Sequence, residues 1–133
     1  MDKEVVWFIR QSVIYFLLGT LLGVIFLFLP DSANQDRISL HVHMNLIGWM
    51  SMMIFGVGYH ILPRFSGKPI FNRKLMTVQF WLASAGMLGM AIGWLLRSLV
   101  VPGGNEILII FGVVMFISIV LFVYNMLRTV QGP

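Results

Sequence analysis

The chain has 133 residues, of which 59% are hydrophobic and only 11% charged, with a mean hydropathy of +0.91. A soluble domain must cover its core with polar surface and carries roughly 25% charged residues, so this composition reads as an all-α integral membrane protein. The absence of cysteine excludes disulfides, thiolate metal sites and iron–sulfur clusters. The net charge of +4 comes without the basic, aromatic-lined groove that nucleic-acid binding requires.

Four apolar runs, each near the ~20 residues that cross the hydrocarbon, predict a four-transmembrane-helix bundle forming a single membrane domain over residues 1–133. The first spans about Val5 to Leu29. It is longer than a signal-peptide core and lacks a small-residue cleavage site, so it reads as a retained span. Pro30 is expected to end it, and Asp31 to Arg37 form a polar loop. The second span, about Ile38 to Leu62, is expected to stop at Pro63. A basic loop with Arg64, Lys68, Arg73 and Lys74 follows. The third span covers about Leu75 to Leu99, and Val101-Pro102-Gly103-Gly104-Asn105 makes a tight turn. The fourth covers about Glu106 to Leu127.

Loop charges suggest an orientation. Lys3, Arg10, Arg64, Lys68, Arg73, Lys74 and Arg128 fall on one side, Arg37 and Arg97 on the other. By the positive-inside rule both termini and the basic loop face the cytoplasm, in a cell inner membrane. His41 and His43 then lie near the outer face and His60 near the inner one. His60 follows His41 by 19 residues, roughly 28 Å of helix, too far for one mononuclear site. The carboxylates Asp2, Glu4, Asp31, Asp36 and Glu106 all fall at span ends or in loops, so no proton-conducting carboxylate is expected within the bilayer.

All three histidines sit on the second helix, and a histidine within a span is costly unless it has a partner or a task. On a wheel of about 100° per residue, Asn45, Gly48, Met52, Gly56 and Tyr59 fall within about 60° of His41. This stripe of polar and small side chains suits a face turned toward the bundle. His43 falls opposite, among Ile47, Met50, Ile54, Val57 and Ile61, on a face suited to lipid or another helix. His41 and His43 therefore do not reach one metal from a regular helix. His60, beside Tyr59, suits either an interfacial aromatic belt or a second ligand position. Gly19 and Gly23, Gly48 and Gly56, and Gly86, Gly89 and Gly93 recur at spacings that let membrane helices approach closely; some would also leave room for a flat cofactor. The run His41-Val42-His43-Met44 offers nitrogen and sulfur that suit copper, an alternative metal site.

The pattern His41…Asn45…Gly48…Phe55-Gly56…Pro63 resembles the second transmembrane helix of subunit I of haem–copper oxidases and their nitric oxide reductase relatives. The resemblance covers about residues 37–97. It implies that His41 is an axial ligand of a b-type haem, that the Gly48/Gly56 stripe makes space for the macrocycle, and that Arg37 and Arg97 contact its propionates. That family's subunit I has about twelve spans and further histidines on later helices, which this chain lacks, so oxygen reduction and proton pumping by the chain alone are not expected. The resemblance implies instead electron transfer or binding of a diatomic gas, nitric oxide or oxygen. The second haem ligand would come from a second copy or another subunit, and a quinone or cytochrome would be the redox partner. A structural or assembly subunit of a respiratory complex is the remaining alternative.

Overall fold

The structure, a computed structural model, describes residues 1–29 and 34–131. Four helices long and apolar enough to cross a membrane follow one another: α1 (Lys3–Leu27), α2 (Gln35–Ser66), α3 (Arg73–Ser98) and α4 (Gly104–Val130). Pro30 and the start of the polar loop, through Ala33, lie outside the described residues. The chain runs up and down. α1 lies along α2, and α2 meets α3 with its first half and α4 with its second. α3 and α4 form the most extensive pair.

Local chemistry sets each end. Asn34 begins α2 by accepting from the backbone N–H groups of Asp36 and Arg37 at 3.0 and 3.3 Å, which satisfies donors a helix start otherwise strands. Asn72 caps α3 in the same way, accepting from the Leu75 N–H at 3.0 Å. α2 does not stop at Pro63 as the sequence suggested. A proline forfeits its own N–H bond, but four residues later Gly67 adopts a left-handed φ of 65° and ends the helix there. The N–H groups of Gly67 and Lys68 then close on the carbonyls of Arg64 and Pro63 at 3.3 and 3.0 Å. At the expected turn between α3 and α4, Val100 takes a left-handed φ of 58°, a conformation disfavoured for a β-branched residue.

The middle of α2 is not regular. From Met44 to Ser51 it is π-helical, with i→i+5 bonds in place of i→i+4. Ser51 Oγ reinforces this by donating to the Leu46 carbonyl at 2.9 Å. A wider turn rotates less per residue, so a wheel drawn at a constant angle loses its phase here. Around this helix the core is dominated by methionine and aromatic side chains: Met44, Met52, Met76, Met87 and Met115 with Phe8, Phe55 and Phe80. Phe8 is its hub, edge-on to Phe55 and Phe80 and stacked on Tyr59.

Candidate functional site

His41 occupies the α1–α2 seam. Its Nδ1 lies 2.8 Å from the Gly19 carbonyl oxygen of α1. A carbonyl only accepts, so Nδ1 carries the hydrogen and Nε2 keeps its lone pair. Among the described residues Nε2 has no hydrogen-bond partner. The seam closes this far because of two glycines. A methyl at Gly23 would sit 2.6 Å from His41 Cε1, and one at Gly19 would sit 2.6 Å from Asn45 Nδ2. Asn45 in turn donates to the His41 carbonyl at 2.9 Å. Gly19 thus serves twice, its carbonyl holding one side chain and its missing methyl admitting the other. Its spacing with Gly23 was visible in the sequence, but nothing there paired it with His41.

A cleft of about 230 Å³ opens beside His41, lined by Gly23, Phe26, Leu27 and Ile38. It is smaller than the roughly 300–1,000 Å³ of enclosed ligand sites. No further room lies along the stripe: Tyr15 packs against Gly48, and Phe8 and Ile9 against Gly56, while Met52 is fully buried. The space that the sequence offered to a macrocycle at Gly48 and Gly56 is filled by α1, because these glycines pull two helices together and the side chains between them occupy the gap.

His43 turns the other way. Its Nδ1 donates to the Ser39 carbonyl of its own helix at 2.8 Å, and its ring lies against Trp94 of α3, with centroids 4.1 Å apart. Of the two surroundings its face suited, another helix is the one it meets. His41, His43 and Met44 therefore point into different contacts and do not converge as a copper site would require. Among the described residues no three histidine or acidic side chains gather to hold a metal. His60 lies at the opposite end, in a cavity with Arg64 and Lys68. Arg97, expected to face propionates, binds Asp36 at 3.0 Å and reaches Asn105 at 3.4 Å, which ties the end of α3 to the start of α2. Arg37 precedes His41 by four residues, on the same side of α2.

Two polar contacts were not legible in the sequence. Glu4 is buried in the first turn of α1 and accepts from the Thr77 hydroxyl of α3 at 2.8 Å. Gln79 and Ser118 exchange bonds between α3 and α4, and among the described residues Gln79 Oε1 has no partner.

The model of the family described as Cytochrome C and Quinol oxidase polypeptide I matches residues 1–102, the portion that holds α1, α2 and α3. The chain is 28% identical over 117 residues to the Cbb3-type cytochrome c oxidase subunit CcoN1 of Stutzerimonas stutzeri, covering 69% of this chain and 25% of that protein. It is 40% identical over 48 residues to cytochrome c oxidase subunit 1 of Rhodobacter capsulatus, covering 35% of this chain and 9% of that protein. A cytochrome c oxidase subunit 1 homolog of Agrobacterium tumefaciens (strain T37) is 35% identical over a stretch of the same length. The chain thus spans 25% or less of the length of these relatives.

Proposed function

The chain belongs to the Cytochrome C and Quinol oxidase polypeptide I family, a multi-pass membrane protein family, and from that premise we propose that it holds a b-type haem through His41 and serves electron transfer or the binding of nitric oxide or oxygen. The observation that carries this reading is the bond from His41 Nδ1–H to the Gly19 carbonyl. Metal-bound histidines characteristically donate their second ring nitrogen to such a carbonyl, which orients the ring, selects the tautomer and raises the basicity of the free nitrogen. The donor chemistry of His41 Nε2 would suit a ligand to haem iron. The space fits only outside the bundle, at the cleft beside Gly23, because α1 fills the interior stripe. The group would therefore be held between this chain and a second copy or another subunit of a membrane complex, which would supply a second ligand.

When bound, a haem iron supplies one-electron exchange or an open position for a diatomic ligand. What this chain contributes is orientation and charge. Gly19 and Gly23 give the imidazole its place, and Arg37, one turn before His41, and Arg97 would contact the propionates. A quinone or a cytochrome would deliver or remove the electron. The basic residues Lys3, Arg10, Lys68 and Arg73 support placing that end of the bundle in the cytoplasm of a cell whose inner membrane holds the chain, with His41 toward the outer face.

Absorption spectroscopy of the purified, haem-supplemented protein tests the reading. A Soret band with sharp reduced α and β bands is expected, lost in His41→Ala and kept in His43→Ala. A wild-type protein without these bands, or a His41→Ala spectrum equal to the native one, overturns it. A second reading, a structural subunit of a respiratory complex, draws on the filled glycine stripe and on the Arg97–Asp36 pair. It expects no haem bands and copurification with other oxidase subunits.

A further inference from the structure

At the end of the bundle opposite His41, the start of α1, the end of α2 and the loop that follows enclose a cavity of about 360 Å³. Tyr59 and His60 line it from α2, and Arg64, Lys68 and Arg73 bring three cations to it against one carboxylate, Asp2. Asp2 pairs with Arg73, so Arg64 and Lys68 leave the cavity with excess positive charge. Among the described residues their hydrogen bonds go to neutral carbonyls, Arg64 to His60 and Lys68 to Gln131, and neither cancels a charge. The loop is held in place. Asn125 of α4 exchanges two bonds with the Asn72 backbone at 3.1 and 2.9 Å, and Thr129 accepts from the Phe71 N–H at 3.0 Å. The left-handed Gly67 then turns Lys68 back over the end of α2. This is a built pocket rather than a fringe of mobile lysines.

Its depth names its ligand. α2 leaves its apolar run at Leu62, and Phe65, next in sequence to the cavity-lining Arg64, is 84% exposed, as suits an interfacial aromatic. A cavity with net positive charge at that level faces the phosphates of the bilayer. Below it, Ile61, Val57 and Ile54 continue the Arg64 stripe down α2 at three- and four-residue spacing, a partly open apolar track. We propose that this cavity binds the phosphodiester headgroup of an anionic phospholipid, with Arg64 and Lys68 as its charge partners and an acyl chain lying along Ile61, Val57 and Ile54. The site is independent of the haem reading and lies at the other end of α2.

Native mass spectrometry of the full chain, released from nanodiscs of mixed phosphatidylglycerol and phosphatidylcholine, tests it. Phosphatidylglycerol should be retained at least tenfold more than phosphatidylcholine. The preference should collapse in Arg64→Gln/Lys68→Gln and persist in Lys74→Gln/Arg128→Gln, whose cations share this end of the bundle but do not line the cavity. Millimolar inorganic phosphate should not displace the lipid. Equal retention of the two lipids, equal loss in both double variants, or displacement by inorganic phosphate each overturns the proposal. Should the first double variant fail to fold, Lys68→Gln alone gives the same reading, with a partial loss expected.

Discussion

The two long seams of this bundle use the same device for different ends. Between α3 and α4, Gly86, Gly89 and Gly93 receive Met115, Phe111 and Leu108, a contact of small against large apolar groups. Between α1 and α2, Gly19 and Gly23 receive Asn45 and His41, and a glycine carbonyl accepts from the imidazole. Removing side chains in the first case yields dispersion contact. In the second it exposes a backbone acceptor to a ring that would otherwise be costly in a membrane. Glycine spacing alone does not distinguish an apolar packing seam from one that holds an imidazole. The residue opposite does.

Substitutions sharpen that contrast. The largest effect is expected at Gly89→Ala, whose methyl would lie 2.0 Å from the Phe111 ring. Loss of about 1–3 kcal/mol in a detergent unfolding titration is expected, from overpacking. Gly112→Ala on α4 is its control, since a methyl there meets nothing within 4 Å. It should be neutral or stabilising by up to about 1 kcal/mol, the helix propensity difference. An equal loss at both positions would mean that the seam is not the close contact described. At the turn joining the same helices, Val100→Gly should raise stability by about 1 kcal/mol, because the left-handed conformation costs a side chain roughly that much. Thermal unfolding reads it, and a decrease would show that the Val100 side chain matters more than its backbone strain.

The α1–α2 seam should respond in spectrum more than in stability. A methyl at Gly23 would press on His41 Cε1, while the gain in helix propensity offsets part of the cost. Gly23→Ala should therefore move the imidazole NMR resonances of His41, and any haem α band, with little change in unfolding midpoint. Unmoved resonances would separate Gly23 from the ring. The smallest effect is expected at Arg97→Gln. The Arg97–Asp36 pair is partly exposed and should be worth roughly 0.2–1 kcal/mol, declining with salt.

Much of the fold was legible in the chain. The apolar runs located all four helices to within a few residues, and the stripe of His41, Asn45, Gly48, Met52 and Gly56 does face inward. Pro63 misled because a helix tolerates proline when a nearby glycine provides a better end. The partner of Arg97 was not legible because Asp36 lies 61 residues earlier in the chain and meets it only when the ends of α2 and α3 come together. The wheel left His43 facing either lipid or another helix, and only the packing of α3 brought Trp94 to it. The π-helical turn that follows was not visible, since no residue type marks a π-helix as glycine marks a left-handed turn.

Composition and hydropathy alone determined that this chain belongs in a bilayer, how many times it crosses, and which helix carries its imidazoles, because burial of apolar surface is a one-dimensional property of each run. Only the tertiary structure decided which carbonyl holds His41, that α1 fills the glycine stripe, and that Arg64 and Lys68 share a cavity. Those depend on which faces meet, and facing is settled by the side chains of a different helix.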